Sequence, residues 1–348
     1  MRKQLFSTAS ALLLTAAPCC TALAVDLTDK IELHGYGNAG YLQTSANQYL
    51  KADRSGTWDY YAAALLFTGT LNDKTKLWAQ AFTSSGGPKR SHLDWMFVDY
   101  RHNSNFILRA GQIKLPMGLY NEVRDIEFVQ LSTLKPMFYQ EATEIADEAF
   151  RGVSVVFDHD LGNGSLSWDA YTGKTIDFQS SDIRYSGLRG GRVTYNTPVD
   201  GLRLMLSGHW EDVENVDTTA KSSEKTVLIS AEYVNNHVDL KTEYVKKATF
   251  GISTKSGYLQ AGYTLAEKWT PYIRSDFITT DYSQSDDPAY YQRTQTVGLG
   301  YKVNRNIGLR IEAHFNHGYA LPVASLEAAA GAGVTDWRML GTSVNFMF

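Results

Sequence analysis

Cysteine is nearly absent from the 348-residue sequence: there are two, Cys19 and Cys20, both within the first 20 residues. A disulfide scaffold and a cysteine-based zinc site are thereby excluded. Long apolar runs are also missing. Past the first 24 residues the longest is about Tyr60 to Phe67, well short of the roughly 18 to 20 residues a spanning helix needs. Positive charge is not in excess. Lys and Arg number 33 against 37 Asp and Glu, a net charge of −4, which argues against nucleic-acid binding. Proline is scarce, at 8 residues, whereas Tyr reaches 21 and Gly 28. A hydrophobic fraction of 43% with 20% charge excludes a disordered tail and, with no long apolar run, an α-helical membrane protein.

The first residues read as an address. Arg2 and Lys3 form a positive start, Ala9 to Ala17 a short apolar stretch, and Ala22-Leu23-Ala24 a small-x-small cleavage site. A lipid-modified cysteine fits poorly, because Pro18 precedes Cys19. Residues 1–24 are expected to be a signal peptide and 25–348 a single exported domain of bacterial origin.

A two-residue period runs through that domain. Ile307, Leu309, Ile311, Ala313 and Phe315 share one face, and Gly308, Arg310, Glu312, His314 and Asn316 the other. About 16 such segments can be marked, at 30–43, 58–70, 74–83, 91–101, 104–113, 150–158, 164–174, 189–196, 201–212, 224–235, 236–247, 252–264, 268–280, 290–303, 306–317 and 335–348. Alternate connections are short and polar, such as Leu71-Asn72-Asp73, His102-Asn103, Asn235-Asn236 and Asn304-Arg305. The others are mostly longer, among them 44–57, 113–149, 175–188 and 318–334. Short and long connections in alternation over an even strand count mark an all-β, antiparallel transmembrane barrel. A soluble sandwich has no reason to keep that order. Aromatic residues at segment ends, such as Trp58, Tyr100, Trp210 and Trp269, fit interfacial girdles, although Tyr and Trp also simply favour strands. The sequence ends Val344-Asn345-Phe346-Met347-Phe348.

With these features the sequence resembles a Gram-negative outer-membrane porin of the 16-stranded trimeric type. Leu108-Arg-Ala-Gly-Gln-Ile-Lys-Leu-Pro-Met-Gly-Leu-Tyr120 followed by Asn121-Glu-Val-Arg-Asp125 resembles the passage from the fifth barrel strand into the long third loop, with local likeness to the phosphate-selective porin O and P group. The resemblance implies a water-filled channel for passive diffusion of small hydrophilic solutes and ions, a homotrimer, and a bilayer of outer-membrane lipid and lipopolysaccharide. It implies that Phe348 is read by the barrel-assembly machinery. It implies no cofactor, metal or nucleic acid.

In porins the third loop folds inward and narrows the lumen. Here it is expected at Ile113 to Ala149, carrying Lys114, Arg124 and Lys135 against Glu122, Asp125, Glu127, Glu141, Glu144, Asp147 and Glu148. Glu141 to Phe150 could form a short helix. Strand parity places Arg109, Arg192, Arg203, Lys241, Arg274 and Arg310 on the inner wall, because a charge facing lipid at mid-bilayer costs roughly 2–4 kcal/mol. Glu32, Asp169, Glu232, Asp239, Glu243, Asp276 and Glu312 share those faces, so ion pairing within the lumen is expected. A basic wall facing an acidic loop would set a transverse field at the narrowest point.

Other classes fit less well. The eight histidines accompany no nucleophile motif, which speaks against an outer-membrane enzyme. The chain is too short for a plugged 22-stranded transporter. A channel specific for dicarboxylate, phosphate or sugar differs from a general porin only in its lining. Gly187-Leu-Arg-Gly190 reads as a loop, and Asp281, Asp286 and Asp287 as a solvated external loop rather than a Ca²⁺ site.

Overall fold

The computed structural model describes residues 25–28, 30–85, 91–140, 143, 145–176, 182–281, 286–324 and 333–348. Residues 1–24, and with them the expected signal peptide, lie outside that set. A short strand β1 (Val25–Thr28) folds back on β2 (Ile31–Thr44). The chain continues through β3 (Thr57–Asn72), β4 (Thr75–Ser84), β5 (Ser91–Asn103) and β6 (Phe106–Lys114). Next come β7 (Ala149–Leu161), β8 (Gly164–Ile176), β9 (Ile183–Asn196), β10 (Leu202–Asn215) and β11 (Lys221–Val234). The series ends with β12 (Val238–Thr249), β13 (Ile252–Tyr263), β14 (Trp269–Asp281), β15 (Tyr291–Lys302), β16 (Ile307–Gly318) and β17 (Asp336–Met347). From β2 to β17 each strand pairs antiparallel with the next, and β17 pairs with β2. The result is a closed barrel of 16 strands, which leaves no open edge in the ring.

The seam is held to its end. Met347 lies opposite Tyr36, the Phe348 N–H donates to the Gly35 carbonyl at 2.8 Å, and the Gly35 N–H donates to the Phe348 carbonyl at 3.1 Å. The Phe348 ring lies over Gly35, where a Cβ would come within 2.3 Å of it, so any larger residue there must displace the terminal ring.

One end of the barrel carries tight turns, such as Gly162-Asn163 between β7 and β8, where Gly162 has φ +70. The other end carries the long connections 45–56, 115–148 and 319–335. The long-connection end is not long throughout: β9 begins only seven residues after the end of β8, β10 and β11 are joined by 216–220, and β12 and β13 join through Phe250-Gly251 alone. Their φ values of +48 and +78 fit a type I′ hairpin.

Two local expectations are corrected. β9 begins at Ile183, so Gly187-Leu-Arg-Gly190 is strand and not loop. Gly187, with φ +64, makes a bulge where the register with β10 shifts between Trp210 and Asp212. Of the helix expected at Glu141 to Phe150, residues 141, 142 and 144 lie outside the described residues, and the second half, 145–150, is not helical. Ala149 and Phe150 pair with Lys114 and Ile113 of β6, which commits their backbone groups to the ladder.

The alternation sorts the side chains as the sequence reading expects. On β14, Ile273 and Phe277 are exposed outward, while Tyr272, Arg274, Asp276 and Ile278 are buried inward. Leu206, Ile229, Leu259, Val297 and Ile311 continue the outer apolar surface around the ring, with Trp58, Trp168 and Trp269 nearer its rims. Outward apolar side chains recurring on strand after strand are the arrangement of a lipid-facing band.

Candidate functional site

The segment 115–148 leaves β6 and returns to β7. Its Leu115, Met117, Leu134, Phe138, Tyr139 and Ile145 are buried. Short 3-10 turns form at Asn121–Val123, Glu127–Val129 and Met137–Tyr139. Irregular backbone needs hydrogen-bond partners when buried, and the wall supplies them. The N–H groups of Thr133 and Leu134 both donate to Glu312 of β16 at 3.0 Å. Leu119 donates to Glu243 of β12 at 2.8 Å, and Met137 to Asp276 of β14 at 3.3 Å. Arg274 donates to the Leu134 carbonyl at 2.9 Å and Arg310 to the Phe128 carbonyl at 3.2 Å. Tyr60 of β3 and Ser343 of β17, on the stretch of wall that continues from β16, hold Thr133 as well. Apolar residues of the segment also pack on Leu228, Val245 and Tyr258 of the wall.

Four of the six expected wall cations meet at one cavity of about 420 Å³, beside the 197–201 turn. Arg109 holds Asp99 with two hydrogen bonds of 2.7 and 3.1 Å, and its guanidinium lies 4.3 Å from the Phe97 ring centre. Arg192 bridges Asp169 at 2.9 Å and Glu122 at 2.5 Å, so it joins wall to segment. Arg203 pairs with Glu232. Lys241 lies 2.6 Å from Asp239 and 5.5 Å from the Tyr120 ring centre. Burial pushes the Tyr120 hydroxyl up to about 12 against the opposing pull of Lys241. The cavity lining holds Arg109, Arg192, Arg203 and Lys241 against Glu122, Asp200, Glu232 and Asp239, so its charge balances. The other two wall cations, Arg274 and Arg310, lie apart from it, against residues 128–135.

The expected loop residues divide into several groups. Lys114, Asp125 and Glu148 converge with Asp94 of β5: the Lys114 Nζ is 2.6 Å from Asp125, 3.0 Å from Asp94, and in contact with Glu148. Burial opposes the charge on Asp125, but Lys114, Lys135 and Arg124 outweigh it and hold this carboxyl below its usual range. Arg124 is an internal strut. Its guanidinium donates to Asn121 Oδ1 at 3.2 Å and to the carbonyls of Ala146 and Tyr139 at 2.9 and 3.0 Å. Asp147 meets His209 and Lys247. Glu141 and Glu144 lie outside the described residues. The sequence reading did not find the cluster around Glu243, which accepts from Ser230, Tyr139 and Tyr258 at 2.6 to 3.1 Å; inward parity on adjoining strands was the available signal.

Glu127 titrates in an unusual place. Burial raises its carboxyl to about 7, against the hydrogen bond from Tyr60 and the charges of Arg310 and Lys135, with Glu312 pushing the same way as burial. Geometry agrees. The single Tyr60 hydroxyl proton faces two acceptors, Glu127 Oε1 at 2.5 Å and the Thr133 carbonyl at 3.0 Å. A protonated Glu127 donates to Tyr60, which then donates to Thr133, and both bonds are made. The folded form therefore holds a proton that the unfolded chain releases near its ordinary carboxyl pKa. Stability from this group is full below about pH 4.5 and is lost as pH rises to about 7. Glu127→Gln is expected to remove that slope and to stabilise the barrel at pH 8 by on the order of 1 kcal/mol. Urea midpoints at pH 5 and pH 8 test this; an unchanged slope would reject it.

No protein-family model and no curated protein sequence matches this chain. Solved structures do. The anion-selective porin from Comamonas acidovorans matches with a TM-score of 0.64 at 15% identity, over 91% of this chain and 99% of that one. The outer-membrane expressed OmpT of Vibrio cholerae matches with a TM-score of 0.62 at 13% identity, over 92% and 99%. The outer membrane channel DcaP of Acinetobacter baumannii gives 0.60 at 11% identity, over 91% and 97%. The ring order, the strand count and these matches show the fold: this chain is a closed 16-stranded barrel of the kind built by outer-membrane porins.

Proposed function

We propose that the chain is an outer-membrane porin through which small hydrophilic solutes and ions diffuse passively, with segment 115–148 as its constriction. The observation that carries this reading is the reversal of polarity across one wall. Apolar side chains face outward around the whole ring, while ion pairs and the long segment occupy the inside. Lipid favours the first arrangement and a hydrated path the second. Residues 1–24 fit an export leader, the tight turns fit the periplasmic end, and the long connections the external end. One fold relative, OmpT of Vibrio cholerae, is described in a trimer form, and a homotrimer is proposed here too. The chain is proposed to be no enzyme: the inward carboxylates Glu243, Asp276 and Glu312 are engaged in holding the segment's backbone.

The cavity supports a general channel over an anion-specific one, because each of its four cations has an acidic partner within the lumen. A solute there exchanges water for paired guanidinium and carboxylate groups, and selectivity follows from size and small charge differences. Planar-bilayer recording tests the reading. Conductance steps in threes, with a small reversal potential under a KCl gradient, are expected; an absence of conductance from folded barrels would overturn it. Arg203→Ala leaves Glu232 uncompensated on the cavity, and should move the reversal potential towards cation preference. An unchanged potential would remove Arg203 from the permeation path.

A further inference from the structure

The inward face of β10 carries His209 and Glu211, two residues apart. Glu211 is the ladder partner of Glu224 on β11. Two inward carboxylates thus stand directly opposite each other, an arrangement that destabilises a strand pair. Asp147, near the end of segment 115–148, joins them with Oδ2 3.1 Å from His209 Nε2. One ligand atom from each of the four residues lies within 4.8 Å of the others.

A cation is already present, but it is not sufficient. Lys247 of β12 lies 2.7 Å from Glu224 and 3.5 Å from Asp147. Three carboxylates and one ammonium leave two negative charges, and His209 adds none when neutral. Burying unpaired charge is costly. Glu211 shows the shortfall. It is 2% exposed, its Oε1 points to His209 Nε2 at 4.0 Å, and neither carboxylate oxygen has a hydrogen-bond partner. His209 Nδ1 is likewise buried and unpartnered.

We propose that Asp147, His209, Glu211 and Glu224 bind a divalent first-row transition-metal ion of the Zn²⁺ class. A dication cancels the two uncompensated charges and relieves the facing carboxylates. Carboxylates alone would suit Ca²⁺ or Mg²⁺, but the imidazole turns the preference towards the transition metals. Tetrahedral ligation at about 2.0–2.2 Å needs ligand atoms roughly 3.3 Å apart, so the side chains must draw together slightly. The bound ion would tie the end of the inner segment to β10 and β11. Lys247 would keep Glu224 as a partner.

Calorimetric titration of the detergent-solubilised, folded barrel with ZnCl₂ at pH 7 tests this. One saturable ion per chain is expected, weakened at least tenfold in His209→Ala and in Glu211→Gln, with CaCl₂ unable to compete. Heat-modifiable migration confirms folding of each variant, and Glu224→Gln replaces either one that misfolds. Equal Zn²⁺ binding by wild type and variants would assign the ion to surface histidines such as His237 and His317 and overturn the proposal. Absence of binding by the wild type would also overturn it, and would mean that a proton neutralises Glu211 instead.

Discussion

Lys114→Met should destabilise the folded barrel by on the order of 3–5 kcal/mol, the range for removing one partner of a buried ion pair. The Lys114 side chain is 6% exposed, and its three acidic partners, Asp94, Asp125 and Glu148, are 0%, 3% and 15% exposed. Methionine fills the volume of the stem and removes only the charge. The remaining carboxylates then repel one another, with Lys135 at 3.5 Å from Asp125 a distant substitute. Protonation is their one relief, so the loss should be larger at pH 8 than at pH 5. Urea unfolding in lipid vesicles at both values measures it. Adding Asp94→Asn to Lys114→Met should recover part of the loss, as residues sharing one network couple. A single variant as stable as wild type would show that the cluster contributes nothing net.

Glu312→Leu should open the channel. This carboxylate, 1% exposed, accepts from the Thr133 and Leu134 N–H groups, from Tyr272 at 2.6 Å, and lies 2.8 Å from His314. Leucine leaves two backbone donors and a hydroxyl without an acceptor in a buried place, at about 1–3 kcal/mol each. Residues 128–135 can recover their hydrogen bonds from water only by leaving the wall. Single-channel conductance is then expected to rise at least twofold, with more open-state noise. Glu312→Gln keeps one acceptor oxygen and should fall between. Identical conductance in all three proteins would show that the segment is held elsewhere, with Arg274 and Arg310 the next candidates.

The barrel was legible because strand period, turn chemistry and connection length are local properties. Segment 306–317 was read one residue from β16, and 252–264 one residue from β13. Inward placement of Arg192, Lys241 and Arg274 followed from parity for the same reason. Partners were not legible in the same way. Its place in the sequence puts Lys114 at the foot of the long loop, but its three partners come from β5 and from both arms of the inner segment. Arg124 looked like a pore charge and is a strut, since nothing local shows that its acceptors are carbonyls some 15 and 22 residues away. The bulge at Gly187 hid the first part of β9. The facing pair Glu211 and Glu224 was out of reach for the same reason: segments 201–212 and 224–235 leave eleven residues between them, and only the structure, with the strands extended to Asn215 and from Lys221, fixes their register.

The seam between β2 and β17 bears on how the barrel comes together in time. Every other strand finds its partner next to it in the chain, and can begin to pair as soon as both have emerged. Tyr36 and Met347 meet from opposite ends of the fold. Until β17 is available, β2 keeps a row of unpaired backbone groups, a template for mispairing with other copies. Ladders of such high contact order form late and slowly. Closure is therefore expected to come last in assembly. A defect at Gly35 would be felt less as a softer native state than as a longer-lived open sheet, exposed to aggregation before the ring is shut.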